Sequence, residues 1–103
     1  MTLQRFPHNE LAEKVKGSKA LVLKFTAAWC GPCKAYAPTV EEVAGEFPDV
    51  EFIEVDIDQD QATAAQWRVR SIPMTMGFKE GIAIFQAPGL MPKSELKKKV
   101  QLL

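Results

Sequence analysis

Ala20-Leu21-Val22-Leu23-Lys24-Phe25-Thr26-Ala27-Ala28-Trp29-Cys30-Gly31-Pro32-Cys33 decides the reading of this chain. Residues 20–26 form an apolar run of strand length. Such a run suits a strand covered on both faces, as at the centre of a parallel sheet. The cysteines follow it directly, where a helix is expected to begin. Residues at i and i+3 of a helical turn are neighbours, so the two sulfurs can join and part with little backbone motion. The first turn of a helix has unpaired N–H groups and the positive end of the dipole, which favour a thiolate at Cys30. Pro32 falls in that turn, where its missing N–H costs nothing, and it stiffens the loop. A poised thiolate beside a second thiol is a reversible two-electron couple. Cys30 is expected to be the more exposed and to attack a substrate disulfide. Cys33, one turn further in, is expected to resolve the mixed disulfide.

Other readings of the pair are weaker. Zinc needs more Cys or His ligands, and His8 is the only histidine. A structural disulfide over so short a step closes a tiny loop and stabilises little. An accidental Cys-x-x-Cys is common in proteins at large, but not between a buried strand and a proline-bearing helix.

Working outward, the helix after Cys30 is expected to run to about Phe47, with Tyr36, Val40, Val43, Ala44 and Phe47 as its core stripe and Pro38 kinking it. Val50 to Ile57 alternates and is β-branched, so it reads as a second strand. Asp60 to Trp67 reads as a helix. Pro73 leads into a strand, Met74 to Phe78. Lys79-Glu80-Gly81 then turns the chain into Ile82 to Gln86. Pro92 to Leu103 reads as a final helix, whose Lys97, Lys98 and Lys99 suit a helix C-terminus or a solvated face. On the other side, Thr2 to Phe6 reads as a short edge strand stopped by Pro7. A helix is expected after it, capped by Asn9, with Leu11 and Val15 on one face and Gly17 as its terminator. The sum is one α/β domain over residues 1–103. It has a mixed sheet of four to five strands with helices on both faces.

The composition agrees with that size and class. The chain has 103 residues, 47% apolar and 25% charged, with 13 basic and 13 acidic side chains. A domain of this length buries roughly 60–70% of its unfolded surface without needing staples. Zero net charge points away from nucleic acid and anionic membranes. No apolar run approaches a membrane span, and residues 1–16 lack the apolar core of a secretory signal. A cytoplasmic location and a monomeric state are expected.

Lys24 is the odd residue, because it interrupts a run that should be buried. A buried ammonium must pair, reach solvent or lose its proton. Glu54, on the neighbouring predicted strand, is the candidate partner. The alternative takes Lys24 past the sheet edge to water.

Phe25 to Lys34 resembles the active-site segment of the thioredoxin family. Pro38, Val55-Asp56-Ile57-Asp58, Ser71-Ile72-Pro73, Phe78-Lys79-Glu80-Gly81 and Gly89 are similar to family landmarks in the same order. The resemblance covers nearly the whole chain. It implies the thioredoxin fold and reduction of protein disulfides through Cys30 and Cys33, with no tightly bound cofactor or metal. Electrons would come from thioredoxin reductase or an equivalent donor. Pro73 would be cis and packed against the disulfide. The Ile72 backbone would pair with an extended substrate segment. Trp29, Gly31, Pro32, Ile72, Pro88 and Gly89 would form an apolar docking patch, although Trp29, Ile72 and Pro88 also suit ordinary packing.

The chain departs from the family at Lys24, where similar members carry a buried aspartate that helps move the inner thiol's proton. The family's lysine at the Glu54 position suggests a pair reversed in sign. Glu54 or a water would then carry the proton for Cys33, and a positive Lys24 would make the couple more oxidising. Met74 and Ser71 are smaller departures. Two rivals stay open. One is a disulfide oxidant or isomerase, against which the Gly31-Pro32 dipeptide speaks. The other is an interaction module that uses the apolar patch.

Overall fold

The computed structural model describes residues 3–103. Its elements are α1 (His8–Gly17), β1 (Ala20–Thr26), α2 (Gly31–Glu46), β2 (Glu51–Asp56), α3 (Gln61–Gln66), β3 (Met74–Lys79), β4 (Ile82–Pro88) and α4 (Lys93–Val100). The sheet has four strands in the order β2-β1-β3-β4. β1 runs parallel to β2 and antiparallel to β3, and β3 and β4 form a hairpin. Among the described residues, no helix is long and apolar enough to cross a membrane.

β1 is central, and its period of two divides the core. Leu21, Leu23 and Phe25 join Leu11 and Val15 of α1, Ile53 and Val55 of β2, and Met74, Met76 and Phe78 of β3. Trp67, just after α3, packs on this cluster, its ring edge-on to Phe78 with centroids 4.9 Å apart. Val22 joins Tyr36, Val40, Val43 and Ala44 of α2 and Leu96 and Val100 of α4 on the opposite face. Helices therefore cover both faces, as the apolar run at residues 20–26 requires.

Local chemistry explains most ends. Asp60 caps α3 by accepting from Thr63 N–H at 2.9 Å. The β3–β4 turn places Glu80 and Gly81 at φ 52° and 81°, a region that glycine adopts without penalty. Gly77 leaves no room for a Cβ beside the Phe85 ring, at the point where the hairpin register shifts.

Three expectations about the N-terminal third are corrected. The first helix begins at His8, with Pro7 rather than Asn9 as its N-cap. Its start is secured from outside the helix, by His8 Nδ1 lying 2.7 Å from Thr63 Oγ1 of α3. Gly17 is the last helical residue and not a left-handed terminator. Ser18 caps the helix in an extended conformation, φ −89° and ψ 141°, which any residue adopts. The expected edge strand at 2–6 is reduced to a single parallel bridge between Gln4 and Ile53. Thr2 lies outside the described residues. The sheet thus has four strands and one appended bridge. The last helix is also shorter than expected, ending at Val100.

Candidate active site

β1 ends at Thr26, and a short turn carries the chain to Cys30, the N-cap of α2. Cys30 and Cys33 are joined by a disulfide, with Cα atoms 5.3 Å apart. Cys33 N–H donates to Cys30 Sγ at 3.1 Å. The outer sulfur therefore occupies the place of a capping oxygen and receives one of the helix's orphan N–H groups. That arrangement favours negative charge on Cys30 once the disulfide opens. Pro32 lies in the first turn, as the spacing predicts.

The exposure of the two cysteines follows the expected order. Cys30 is 4% exposed and Cys33 1%, so both are nearly covered. Ala27 lies against them, with Ile57 and Ile72 packed beside the group. These apolar side chains form a rim around the cysteine pair.

That rim brings the predicted docking residues together. Trp29 is 68% exposed, the largest exposure of any large apolar side chain among the described residues. Its Nε1–H donates to Asp58 Oδ2 at 2.8 Å, which fixes the indole edge. Gly31 and Pro32 are exposed at the start of α2, and Ile72 is half-buried. The Ile72–Pro73 peptide bond is cis. Gly89 N–H donates to Pro73 O at 2.8 Å, and Pro88 pairs with Met74, so the loop after β4 sits beside Pro73. A cavity of about 320 Å³ opens next to this rim, lined by Trp29, Ile57, Val69, Arg70, Ser71 and Ile72.

Beneath α2, Lys24 is 2% exposed, which excludes the alternative of an ammonium in water. Its Nζ donates to Cys33 O at 3.3 Å and lies 3.6 Å from Glu54 Oε2. The parallel register sets Lys24 opposite Glu54, and the antiparallel register sets it opposite Thr75. Thr75 Oγ1 is 3.1 Å from the Tyr36 hydroxyl. Burial pulls the Lys24 ammonium below its usual range, and Glu54 opposes that shift. Burial likewise pushes the Tyr36 hydroxyl up.

Two participants escaped the sequence reading. Arg5 donates from Nε to Glu54 Oε1 at 2.9 Å, on the side of the carboxylate away from Lys24. Asp58 holds Trp29. Their only advance signals were a cation before the first helix, facing the acidic positions 54 and 56, and an acid just past the second strand.

Comparison with known proteins agrees with this geometry. A family model described as Thioredoxin matches residues 3–102. A thioredoxin of Mycoplasmoides gallisepticum is 40% identical over 88 residues, covering 85% of this chain and 88% of its own. An H-type thioredoxin of Ricinus communis is 40% identical over 93 residues, covering 89% of this chain and 78% of its own. Among solved structures, the oxidised mitochondrial thioredoxin 3 of Saccharomyces cerevisiae superposes with a TM-score of 0.90 at 28% identity, covering 98% of this chain and 95% of its own. The chain belongs to the thioredoxin family, and its adjacent Cys30 and Cys33 make it a thiol–disulfide oxidoreductase.

Proposed function

We propose that the chain reduces protein disulfides by a cycle in which Cys30 attacks and Cys33 resolves. The observation that carries the assignment of roles is the Cys33 N–H bond to Cys30 Sγ. In the dithiol form, the Cys30 thiolate attacks one sulfur of the substrate disulfide. That bond breaks, a mixed disulfide forms, and the departing substrate sulfur takes a proton. Cys33 then loses its proton and attacks Cys30 Sγ. The internal disulfide forms and the second substrate thiol leaves, so two electrons have passed to the substrate. Thioredoxin reductase or an equivalent donor returns two electrons and two protons to the pair.

The exposed rim supports the docking reading. Trp29, Gly31, Pro32, Ile72, Pro88 and Gly89 form its apolar surface, and the Ile72 backbone, which precedes β3, is the edge along which an extended substrate pairs. Pro73, which follows the Ile72 packed by the cysteine pair, offers no N–H there. Under the pair, a charged Lys24 favours a thiolate at Cys33 and makes the couple more oxidising than one with an acid in its place. Glu54, or a water beside it, carries the proton. The protein acts as a monomer in the cytoplasm, contributing to electron transport and redox homeostasis, because a reductase of this kind works in a reducing compartment.

Insulin-disulfide reduction, driven first by dithiothreitol and then by a reductase with NADPH, tests the cycle. Turnover by the wild type and none by Cys30→Ser is expected. Turnover surviving Cys30→Ser overturns the mechanism. A Cys33→Ser variant should hold substrates as mixed disulfides on Cys30.

A further inference from the structure

The Glu54 carboxylate has two differently placed oxygens. Oε2 faces the buried Lys24 ammonium at 3.6 Å. Oε1 faces outward and accepts from Arg5 Nε at 2.9 Å and from a second guanidinium nitrogen. Arg5 is held in turn by the backbone of its neighbour Gln4. Gln4 O accepts from Glu54 N–H at 2.9 Å, and Gln4 bridges Ile53. A second guanidinium arm points toward Asp56 at 3.9 Å. Outside the contact lies an open cavity of about 330 Å³ lined by Arg5, His8, Glu54, Asp56 and Asp60 among others. Asp56 does not compete for the inner position, since its Oδ1 accepts from Asp58 N–H at 2.9 Å.

A continuous polar line therefore runs from solvent, through Arg5 and Glu54, to Lys24 and the Cys33 carbonyl. We infer that Arg5 is a positioning residue of the redox centre, turning Glu54 so that one oxygen serves Lys24 while the other meets the outer cavity, and so setting how readily the inner thiol exchanges its proton. This inference rests on the proposed roles of Lys24 and Cys33. It assigns to an exposed residue of the N-terminal segment, which touches neither sulfur nor substrate, a part in the chemistry.

Its sign follows from charge. Arg5 adds positive charge behind Glu54, which weakens the carboxylate's hold on Lys24 and favours anions above it. Without Arg5, Glu54 neutralises Lys24 more fully, and the Cys33 thiolate loses support. The other groups facing the Lys24 site are Glu41 from α2, which acts on it through space, and Thr75 from β3, which lies opposite it and is engaged by the Tyr36 hydroxyl. Arg5 also acts on Lys24 directly through space, but its hydrogen bonds go to Glu54, so the larger part of its influence passes through that carboxylate.

The test measures the pH at which Cys33 ionises in the reduced full chain, from its Cβ chemical shift. The variants are Arg5→Met, Arg5→Lys, Glu54→Gln and the double variant Arg5→Met/Glu54→Gln. Arg5→Met should move the inflection up by roughly half a pH unit, since a half-exposed charge acts through partly screened space. Arg5→Lys should restore most of the shift. In the Glu54→Gln background, removing Arg5 should shift the inflection by clearly less, leaving only its direct through-space effect. An unmoved inflection in Arg5→Met overturns the inference, and so does an equal shift with and without Glu54. Insulin reduction by the wild type separates this failure from failure of the proposed cycle.

Discussion

The two faces of β1 are equally dry but hold opposite kinds of side chain. Leu21, Leu23 and Phe25 pack into an apolar cluster with side chains from α1, β2 and β3. On the other face Val22 begins an apolar layer, but Lys24 and Thr26 break it beneath α2, and Thr75 and Tyr36 continue the polar strip. Burial alone therefore does not mark the site. A buried cation aimed at the backbone of the inner cysteine does, because retaining it costs desolvation that a leucine would avoid. One face contributes cohesion, and the other gives up part of it to control charge under the disulfide.

Substitutions separate the two faces. The largest effect is expected at the sulfurs that the polar face serves, where Cys33→Ser should abolish catalytic turnover of insulin disulfides. On the apolar face, Leu23→Ala should cost about 3 kcal/mol in denaturant unfolding and leave the redox potential of the folded protein unchanged. A shifted potential would blur the division between the faces. Lys24→Met should behave in the reverse way. Glu54 keeps Arg5 as a partner, so stability should stay within about 1 kcal/mol of the wild type. The potential should fall by roughly 30 mV as support for the thiolate is lost. An unchanged or higher potential would contradict the role given to Lys24.

The proton balance of Lys24 sharpens the contrast further. Its folded pKa lies below 10.5, so between the two values the unfolded chain binds more protons than the folded one. Wild-type stability should therefore rise with pH across that alkaline window relative to Lys24→Met. Parallel curves for the two proteins would show that the ammonium is not desolvated. The smallest effect belongs to the surface. Glu46 bonds Lys93 at 2.8 Å and Lys97 at 2.9 Å, and its carboxyl is lowered from 4.5 to about 2. Its contribution is present above pH 4.5 and disappears as the pH falls through that value toward 2. Glu46→Gln should thus be slightly less stable at neutral pH in low salt, and equal to wild type at the acid end or in high salt.

Some of this was written locally in the chain. The buried strand, the Cys30–Cys33 pair, Pro32 in the first turn and the β3–β4 turn each depend on residues within a few positions of one another. Period, spacing and turn chemistry therefore sufficed to place them. Lys24 was legible as an anomaly, and Glu54 as its partner, because two adjacent strands offered few other acids. The start of the first helix at His8 was misplaced, since Pro7 and not Asn9 precedes it and His8 contacts Thr63, far along the chain; its end at Gly17 was placed, but needed no left-handed conformation.

What tertiary structure alone decided is the set of long-range contacts around the site. Arg5 meets Glu54 across 49 positions, Trp29 meets Asp58 across 29, and Gly89 bonds Pro73. Each uses an ordinary charged or backbone group with many possible partners in the sequence. Only the register of β1 against β2 and β3, and the path of the segment before α1, selects one. The chain's own order thus determined the chemistry of the sulfurs and the layering of the core. The three-dimensional packing determined which charges reach them.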